Sequence, residues 1–341
     1  NSISKGCDTG WNGMGTSNTR VYVKGKGLVI VEPSVVAVNT KQDMVIAVGR
    51  QAKEMMGRAP ESISAIKPIK DGVIGDFDAA CHMIKALIKQ AMGQSYFGRP
   101  TVKLSFPMDI TEVEEMALKE VAEAAGCRKP ELIPAIAAAA IGANLPFNTP
   151  KGVMLVDIGG GTCESAVLSM GGVVVSKLVR TAGNAIDNAI IPYIKKEYGM
   201  LIGERTAEEI KINIGSAVPK AQEEYMEVRG RDLYTGLPKN IRVSSSEITD
   251  TIKDPVNTII ALVKSVLEET PPELLADIID EGIILTGAGA LLGGLDKLIQ
   301  METGMTTIIA ENPMECTIAG LGRCTENEAV RKLPAMYNQH V

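Results

Sequence analysis

The sequence repeats one of its own patterns after 146 residues, and this repeat constrains the fold more than any other feature. Gly15-Thr16, followed by Val21-Tyr22-Val23, Gly25 and Val29, matches Gly161-Thr162, followed by Val167-Leu168, Gly171 and Val175. In each copy a glycine turn leads into alternating apolar residues, a second glycine turn and another β-branched stretch. The repeat therefore predicts two similar halves, each opening with a β-hairpin.

Helical patterns follow both hairpins, so strands and helices alternate in each half. Helices are predicted over Ala79 to Met92, Thr111 to Ala125, Asn184 to Glu197, Thr206 to Ile214 and Ser246 to Glu268. Aromatic residues make up only 4% of the chain, which leaves a core of aliphatic residues and methionine. We expect an α/β fold of two similar halves, each with an inserted subdomain.

Proline, glycine and the repeat together suggest the domain boundaries. Domain I is expected over 1–148, with its core at 1–31 and 75–148 and an inserted subdomain at 32–74. Domain II is expected over 149–317, with its core at 149–180 and 243–317 and an inserted subdomain at 181–242. The last segment, 318–341, is expected to return to domain I.

Charge and cysteine content exclude several classes of function. The net charge is −6 and no cluster of Lys and Arg interleaves with aromatics, so nucleic acid is not expected as a partner. The six cysteines form no C-x-x-C pair and there are only two histidines, which favours reduced cytoplasmic thiols over a zinc site. The first ten residues lack the apolar region of a signal peptide, and no stretch is long enough for a membrane span.

The strongest chemical signal is the segment from Met154 to Glu164, in which an apolar strand ends at Asp157 and is followed by three glycines and Thr162. Glycines let backbone N–H groups converge on phosphate oxygens, and an Asp at a strand end can hold Mg²⁺ through water. A tight hairpin turn with a capping Asp is the structural alternative, but the second copy of the pattern at Gly15-Thr16 favours phosphate binding.

A third glycine cluster lies between Thr286 and Leu292, after an apolar strand and before a helical pattern that runs through Asp296. A strand, a glycine turn and a helix N-terminus together can bind a nucleotide's ribose or phosphates. Farther back, Glu208 and Lys211 have the i, i+3 spacing of a surface ion pair. Without other context, this spacing indicates only a surface ion pair.

These motifs resemble the actin-like ATPases, and among them the MreB-type bacterial cell-shape proteins. The matching segments are Gly15 to Thr19, Tyr22 to Gly25, Glu32 to Ala37, Asp71 to Phe77, the Asp157 loop, Ile202 to Glu204, Glu208 to Ala217, Val228 to Arg231, Pro271 to Leu274 and the Thr286 loop. The resemblance implies an actin fold, ATP and Mg²⁺ in the cleft between the halves, and cytoplasmic protofilaments. It also implies that the filaments lie on the inner membrane face and organise cell-wall synthesis together with other shape proteins.

The same resemblance, with the three loops, gives the expected site. Nucleotide contacts are expected from Thr16, Ser17, Asn18, Gly159, Gly160, Gly161, Thr162, Glu208, Glu209, Ile210, Lys211, Gly287, Ala288, Gly289, Ala290 and Leu291. Asp157 is expected to hold Mg²⁺ through water, and Thr162 and Asp157 are the remaining catalytic candidates.

Two departures from the family pattern fall where its chemistry is done. Gly13 stands where the family has the Asp of its first phosphate loop, and Ala135 lies in the segment that carries the family's water-positioning glutamate. Asp8 could replace the first acid only if the loop carries an insertion, and no apolar strand is expected before it. Asp109 and Glu112 are more simply explained as helix-capping residues. We therefore expect nucleotide binding with slow hydrolysis.

Tyr96 and Phe97 are adjacent aromatics in a predicted turn, and the resemblance implies that this loop touches the membrane. A loop packed back on its own domain is the alternative. Two other functions share the fold. A small-molecule phosphotransferase would need an acid over the γ-phosphate, which the departures remove. A chaperone nucleotide domain would need a further peptide-binding region, and none is expected after Val341.

Overall fold

The computed structural model describes the backbone of residues 8–11 and, in full, residues 15–42, 44–93, 98–327 and 330. The strands are β1 (Asp8–Trp11), β2 (Asn18–Val23), β3 (Gly27–Pro33), β4 (Val36–Asn39), β5 (Met44–Val48), β6 (Ile63–Ile66), β7 (Ile69–Lys70), β8 (Val73–Ile74), β9 (Thr101–Phe106), β10 (Arg128–Pro134), β11 (Val153–Ile158), β12 (Cys163–Ser169), β13 (Gly172–Val179), β14 (Met200–Leu201), β15 (Tyr225–Asp232), β16 (Pro238–Ser244), β17 (Ile283–Thr286) and β18 (Thr307–Ile309).

The helices separate these strands along the chain. They are α1 (Arg50–Met55), α2 (Phe77–Met92), α3 (Glu112–Ala124), α4 (Ala135–Gly142), α5 (Gly183–Tyr198), α6 (Glu204–Ile214), α7 (Ser245–Thr251), α8 (Lys253–Glu269), α9 (Pro272–Glu281), α10 (Leu295–Thr303) and α11 (Cys316–Glu326), with one 3₁₀ turn at Ala288–Leu291.

Two five-stranded sheets of the same topology form the centres of the halves. The first has the strand order β10-β9-β1-β2-β3, and the second has β18-β17-β11-β12-β13. In each sheet the central strand is parallel to one neighbour and antiparallel to the hairpin strand on its other side. The internal sequence repeat therefore corresponds to two sheets of the same topology.

The two opening hairpins share an irregularity as well as a topology. The register of β2 on β3 shifts between Val21 and Tyr22, and that of β12 on β13 shifts between Val167 and Leu168. These two β-bulges stand at equivalent positions of the sequence repeat. A bulge increases the local twist of a strand, so both halves turn their hairpins in the same way.

Small sheets occupy the predicted insertions. In the first half, β4, β5 and β6 form a sheet of order β5-β4-β6, followed by the short pair β7-β8. In the second half, β14, β15 and β16 form another sheet, next to α5 and α6.

Among the described residues, three large apolar clusters form the core, and a fourth, small one lies in the insertion of the first half. One large cluster lies in each half, and the third joins the halves with residues from α4, α11 and the second sheet, including Ile136, Leu155 and Leu321. Helix α11 packs on α4, β1 and β2, which belong to the first half. Helices α4 and α11 approach very closely, because a Cβ on Gly320 would lie 1.8 Å from the carbonyl oxygen of Ala138.

The predictions from the sequence differ from the structure at several places. The stretch Ser246 to Glu268 forms two helices, since Ile252 ends α7 and precedes α8. Thr111 caps α3 in a capping box with Glu114, so Asp109 and Glu112 do not have the capping role expected of them. A short strand, Asp8–Trp11, does precede the first glycine loop, although its sequence has no apolar run.

Candidate functional site

The three glycine loops meet at one cleft between the halves. The cavity has a volume of about 450 Å³, which lies within the range of small-molecule sites. Its walls include Gly15 to Asn18 from the first loop, Gly159 to Thr162 from the second and Gly287 to Gly289 from the third. The cleft is thus lined by backbone from loops at both repeat positions and from the turn after β17.

The first and second loops touch across the floor of the cleft. A Cβ on Gly160 would lie 1.9 Å from the Oγ of Ser17, and one on Gly161 would lie 2.6 Å from the Oγ1 of Thr16. Only glycine fits at these positions, which leaves the peptide N–H groups open to an anion. Ser17 also donates a hydrogen bond of 3.1 Å to the Oδ1 of Asn184, next to the first residue of α5.

The third loop has a similar requirement. Gly287 has φ of 81°, and a Cβ there would lie 2.3 Å from the carbonyl oxygen of Ile158. A 3₁₀ turn, and not the regular helix predicted here, follows Gly287, and α10 begins only at Leu295. Of the predicted residues in this loop, Leu291 also lines the cavity, whereas Ala290 is fully buried and does not.

Asp157 lies at the end of β11 and lines the cleft. The Oγ1 of Thr286 donates to its Oδ1 at 3.0 Å, while burial raises the pKa of the Asp157 carboxyl. Among the described residues no group of three or more metal-ligating side chains occurs. The donor set fits Mg²⁺ in the way that uses one carboxylate together with phosphate oxygens and water, and it does not form a metal site of protein ligands alone.

Glu208 and Lys211 both line the cleft, but they do not pair with each other. The Lys211 ammonium lies 2.8 Å from Asp187 and donates to the carbonyl oxygen of Gly183 at 3.0 Å. The Glu208 carboxylate instead accepts from Lys53, in the insertion of the first half, at 2.8 Å. The other two predicted residues of α6, Glu209 and Ile210, do not line the cavity.

A second ion pair, between Lys67 and Glu204, also joins the two inserted subdomains. Arg180 adds a third bridge, since it donates to the carbonyl oxygen of Asp71 and lies 3.7 Å from Glu114. These contacts link the two halves of the molecule. They are half-exposed, so each is worth about 0.2 to 1 kcal/mol.

The structure describes one of the two positions at which the family pattern has an acid. Ala135, the first residue of α4, lines the cavity together with Thr162, so its position faces the cleft as the resemblance implies. Gly13 lies outside the described residues. Asp8 pairs with Thr101 at the start of β1, three residues before that strand ends, so its backbone lies at the end of the strand away from the loops. Asp8 is thus poorly placed to replace the acid at position 13.

The sequence matches the family model described as MreB/Mbl protein over residues 12–332. The chain belongs to the MreB/Mbl family. It is 48% identical to the cell shape-determining protein Mbl of Bacillus cereus, over 94% of this chain and 96% of that protein.

Solved structures of the family have the same fold. MreB5 of Spiroplasma citri, with structures bound to ADP and to AMPPNP, is 36% identical and superposes with a TM-score of 0.89, covering 95% of this chain and, for the ADP form, 98% of that one. The MamK double helical filament, at 19% identity and a TM-score of 0.78, covers 94% of this chain and 99% of the MamK chain, and it shows the fold alone. The expected actin-like fold is confirmed.

Two charged residues in this MreB/Mbl chain escaped the sequence analysis. Arg20 lines the cleft from β2, immediately after the first loop. Glu164 is 4% exposed, stands opposite Asp157 in the β11–β12 pairing and accepts a hydrogen bond from the backbone N–H of Met108 at 3.1 Å. The available signal for both was a charged residue in the strand that follows a glycine loop.

The membrane prediction falls outside what the structure describes. Tyr96 and Phe97 are not among the described residues. Within the described part of the chain, none of the helices combines the length and apolar character needed to cross a bilayer.

Proposed function

We propose that this protein is an ATP-binding cytoskeletal protein that polymerises with itself in the cytoplasm. Its filaments lie on the inner face of the membrane and take part, with cell-wall synthesis and shape proteins, in determining rod cell shape. ATP is bound with Mg²⁺ in the cleft and is hydrolysed slowly.

One observation carries the nucleotide part of this proposal. Three glycine loops from different parts of the chain converge on a single cavity, and side chains at Gly160, Gly161 and Gly287 would collide with their neighbours. Structural turns alone do not need three such loops to meet at one place. Backbone N–H groups that converge in this way bind phosphate.

The chemistry of the cleft supports binding more than turnover. Bound Mg²⁺ would neutralise phosphate charge, with Asp157 holding it through water. Orientation of the attacking water needs a hydrogen-bond acceptor beside the γ-phosphate, and the methyl group of Ala135 cannot accept. Thr162 also lines the cleft and can still position a water molecule through its hydroxyl group.

Assembly is supported by family membership and by the surface. The turn between β15 and β16 exposes Leu233, Tyr234 and Leu237, and the Tyr234 side chain is 85% exposed. Such a turn offers apolar contact area to a second copy of the chain. The B. cereus relative is named a cell shape-determining protein, which supports the cellular role proposed here.

Sedimentation of the purified chain tests this assembly. We expect pelletable filaments, visible by electron microscopy, with ATP and Mg²⁺ and fewer without nucleotide. The Gly160→Asp variant should remain in the supernatant under both conditions. A wild-type chain that binds ATP but never pellets would show that the assembly part of the proposal is wrong.

Liposome sedimentation tests the membrane part. Two aromatic side chains contribute only a few kcal/mol to binding, so single copies should bind weakly and filaments firmly through many loops. A Tyr96→Ser, Phe97→Ser variant should therefore assemble normally but lose the liposome pellet. If this variant pellets with liposomes as the wild type does, the loop is not the membrane contact.

A further inference from the structure

Arg20 has an unusual position for a charged residue. In β2, Thr19, Val21 and Val23 are buried on one side, while Asn18, Arg20 and Tyr22 are half-buried on the other. Arg20 lines the cleft two residues after Asn18, a backbone distance of about 7 Å along a strand. The equivalent position in the second half is Ala166, which is fully buried. The repeat alone therefore does not call for a cation here.

The other charged residues that line the cleft are already engaged. Lys211 binds Asp187, Glu208 binds Lys53, and Asp157 accepts from Thr286. Arg20 makes neither a hydrogen bond nor an ion pair with any described residue. Burial lowers the pKa of Arg20, and the carboxylates of Glu315 and Asp157 oppose that shift without forming a direct contact.

A half-buried guanidinium that lines a cleft and has no direct protein partner is available to an anion, because its five donors are not used by protein acceptors. Its planar fork suits two oxygens of one phosphate. The anion that enters this cleft under the proposed function is the phosphate chain of a nucleotide.

We propose that Arg20 binds the phosphate chain of the nucleotide and supplies fixed positive charge there. This inference rests on the proposed function, since it needs a nucleotide in the cleft. It also has a consequence for the metal. With Gly13 in place of an acid, the protein offers Mg²⁺ one carboxylate fewer. A fixed cation at Arg20 would therefore make phosphate binding less dependent on Mg²⁺.

Calorimetry on Arg20→Leu tests the proposal, with adenosine, ADP and ATP as ligands. Loss of a bidentate, charge-assisted contact should weaken ADP and ATP binding by about 10- to 100-fold and leave adenosine binding unchanged. Arg20→Lys should recover part of the loss, because it restores the charge without the fork. Arg229→Leu removes the same charge from an exposed strand position and should bind like the wild type.

A second measurement uses only the wild-type protein and can still overturn the proposal if Arg20→Leu does not fold. In EDTA, the wild type should bind ADP at least 10-fold more tightly than adenosine, since the fixed cation remains without metal. Equal affinities for ADP and adenosine in EDTA would overturn the role of Arg20. An equal loss of affinity for all three ligands in Arg20→Leu would also overturn it. Wild-type protein that binds none of them, even with Mg²⁺, would instead overturn the proposed function itself.

Discussion

At the scale of single residues, the cleft has closely packed glycines of the kind that suits phosphate binding and has alanine, not an acid, at position 135. Glycines at 160, 161 and 287 remain where a side chain would collide. Ala135 lines the same cavity but has no polar group. Because binding and turnover depend on different residues, one can be retained while the other is lost.

The first prediction concerns turnover. Ala135→Glu should fit, because Ala135 is half-buried and borders open space in the cleft. Alone it should raise the rate of phosphate release only slightly, since position 13 still lacks its carboxylate. The double change Gly13→Asp, Ala135→Glu should exceed the sum of the single effects, because both groups act on one phosphate geometry.

Phosphate release should be measured on all four proteins at matched filament content, since assembly itself can change the rate. A wild-type protein that already hydrolyses ATP as fast as the double variant would contradict the account.

The second prediction concerns Glu164. Burial raises the pKa of this carboxyl to about 8, opposed by its hydrogen bond from Met108 and reinforced by Asp157 and Asp109. The folded protein thus holds a proton that the unfolded chain releases above its ordinary pKa of 4.5. The contribution of Glu164 to the free energy of unfolding therefore falls as the pH rises from about 4.5 to about 8.

Glu164→Gln keeps the shape and removes the titration. We expect it to raise the free energy of unfolding by about 3 kcal/mol at pH 7, with a smaller gain at pH 5.5 and a larger one at pH 8. Urea unfolding at these three pH values measures it, with the exposed Glu120→Gln as control. A gain that does not change with pH would contradict the assigned protonation.

Which residues line the site could be predicted only where the chain shows a local motif. The second and third glycine loops were found because each follows an apolar strand, and the first was found because it repeats the second. The partners of Glu208 and Lys211 could not be found, because Lys53 and Asp187 are distant in sequence and meet them only after folding. Arg20 was missed for a related reason, because the sequence does not show which face of β2 borders the cleft.

At the scale of elements, periodicity predicted the helices well and their ends less well. Helix α2 begins two residues before the predicted Ala79, because Asp76 caps it by accepting from the backbone N–H of Ala79. The break at Ile252 inside the predicted helix Ser246 to Glu268 is marked by Pro255, which lies in the first turn of α8, where a proline is tolerated, and not in the interior of one long helix. The hairpins were predictable since their glycine turns are repeated, but the shared bulge was not.

The third prediction tests the contact between α4 and α11. Gly320→Ala would place a methyl group 1.8 Å from the carbonyl oxygen of Ala138, so the helices must separate. The free energy of unfolding should fall by about 1 to 3 kcal/mol, even though alanine favours a helix. Gly75→Ala is the control, because a Cβ there meets its nearest atom at 3.8 Å. Equal stability of the two variants in urea would contradict this packing.

At the scale of the whole molecule, two similar halves enclose the cleft and their insertions meet over it. The repeat predicted the halves, and the resemblance predicted the cleft between them. The ion pairs Lys53–Glu208 and Lys67–Glu204 were not predictable, because they join insertions that do not share the repeat. They join the insertions only weakly, since exposed ion pairs gain little in water.

The central claim is that the three glycine loops bind ATP, and calorimetry with ATP and Mg²⁺ tests it most directly. Wild-type protein and Gly203→Asp should bind alike, because Gly203 has open space around it. Gly160→Asp should not bind, since its side chain would collide with Ser17 and bring negative charge to the phosphate site. No binding by the wild type, or equal binding by wild type and Gly160→Asp, would contradict the account.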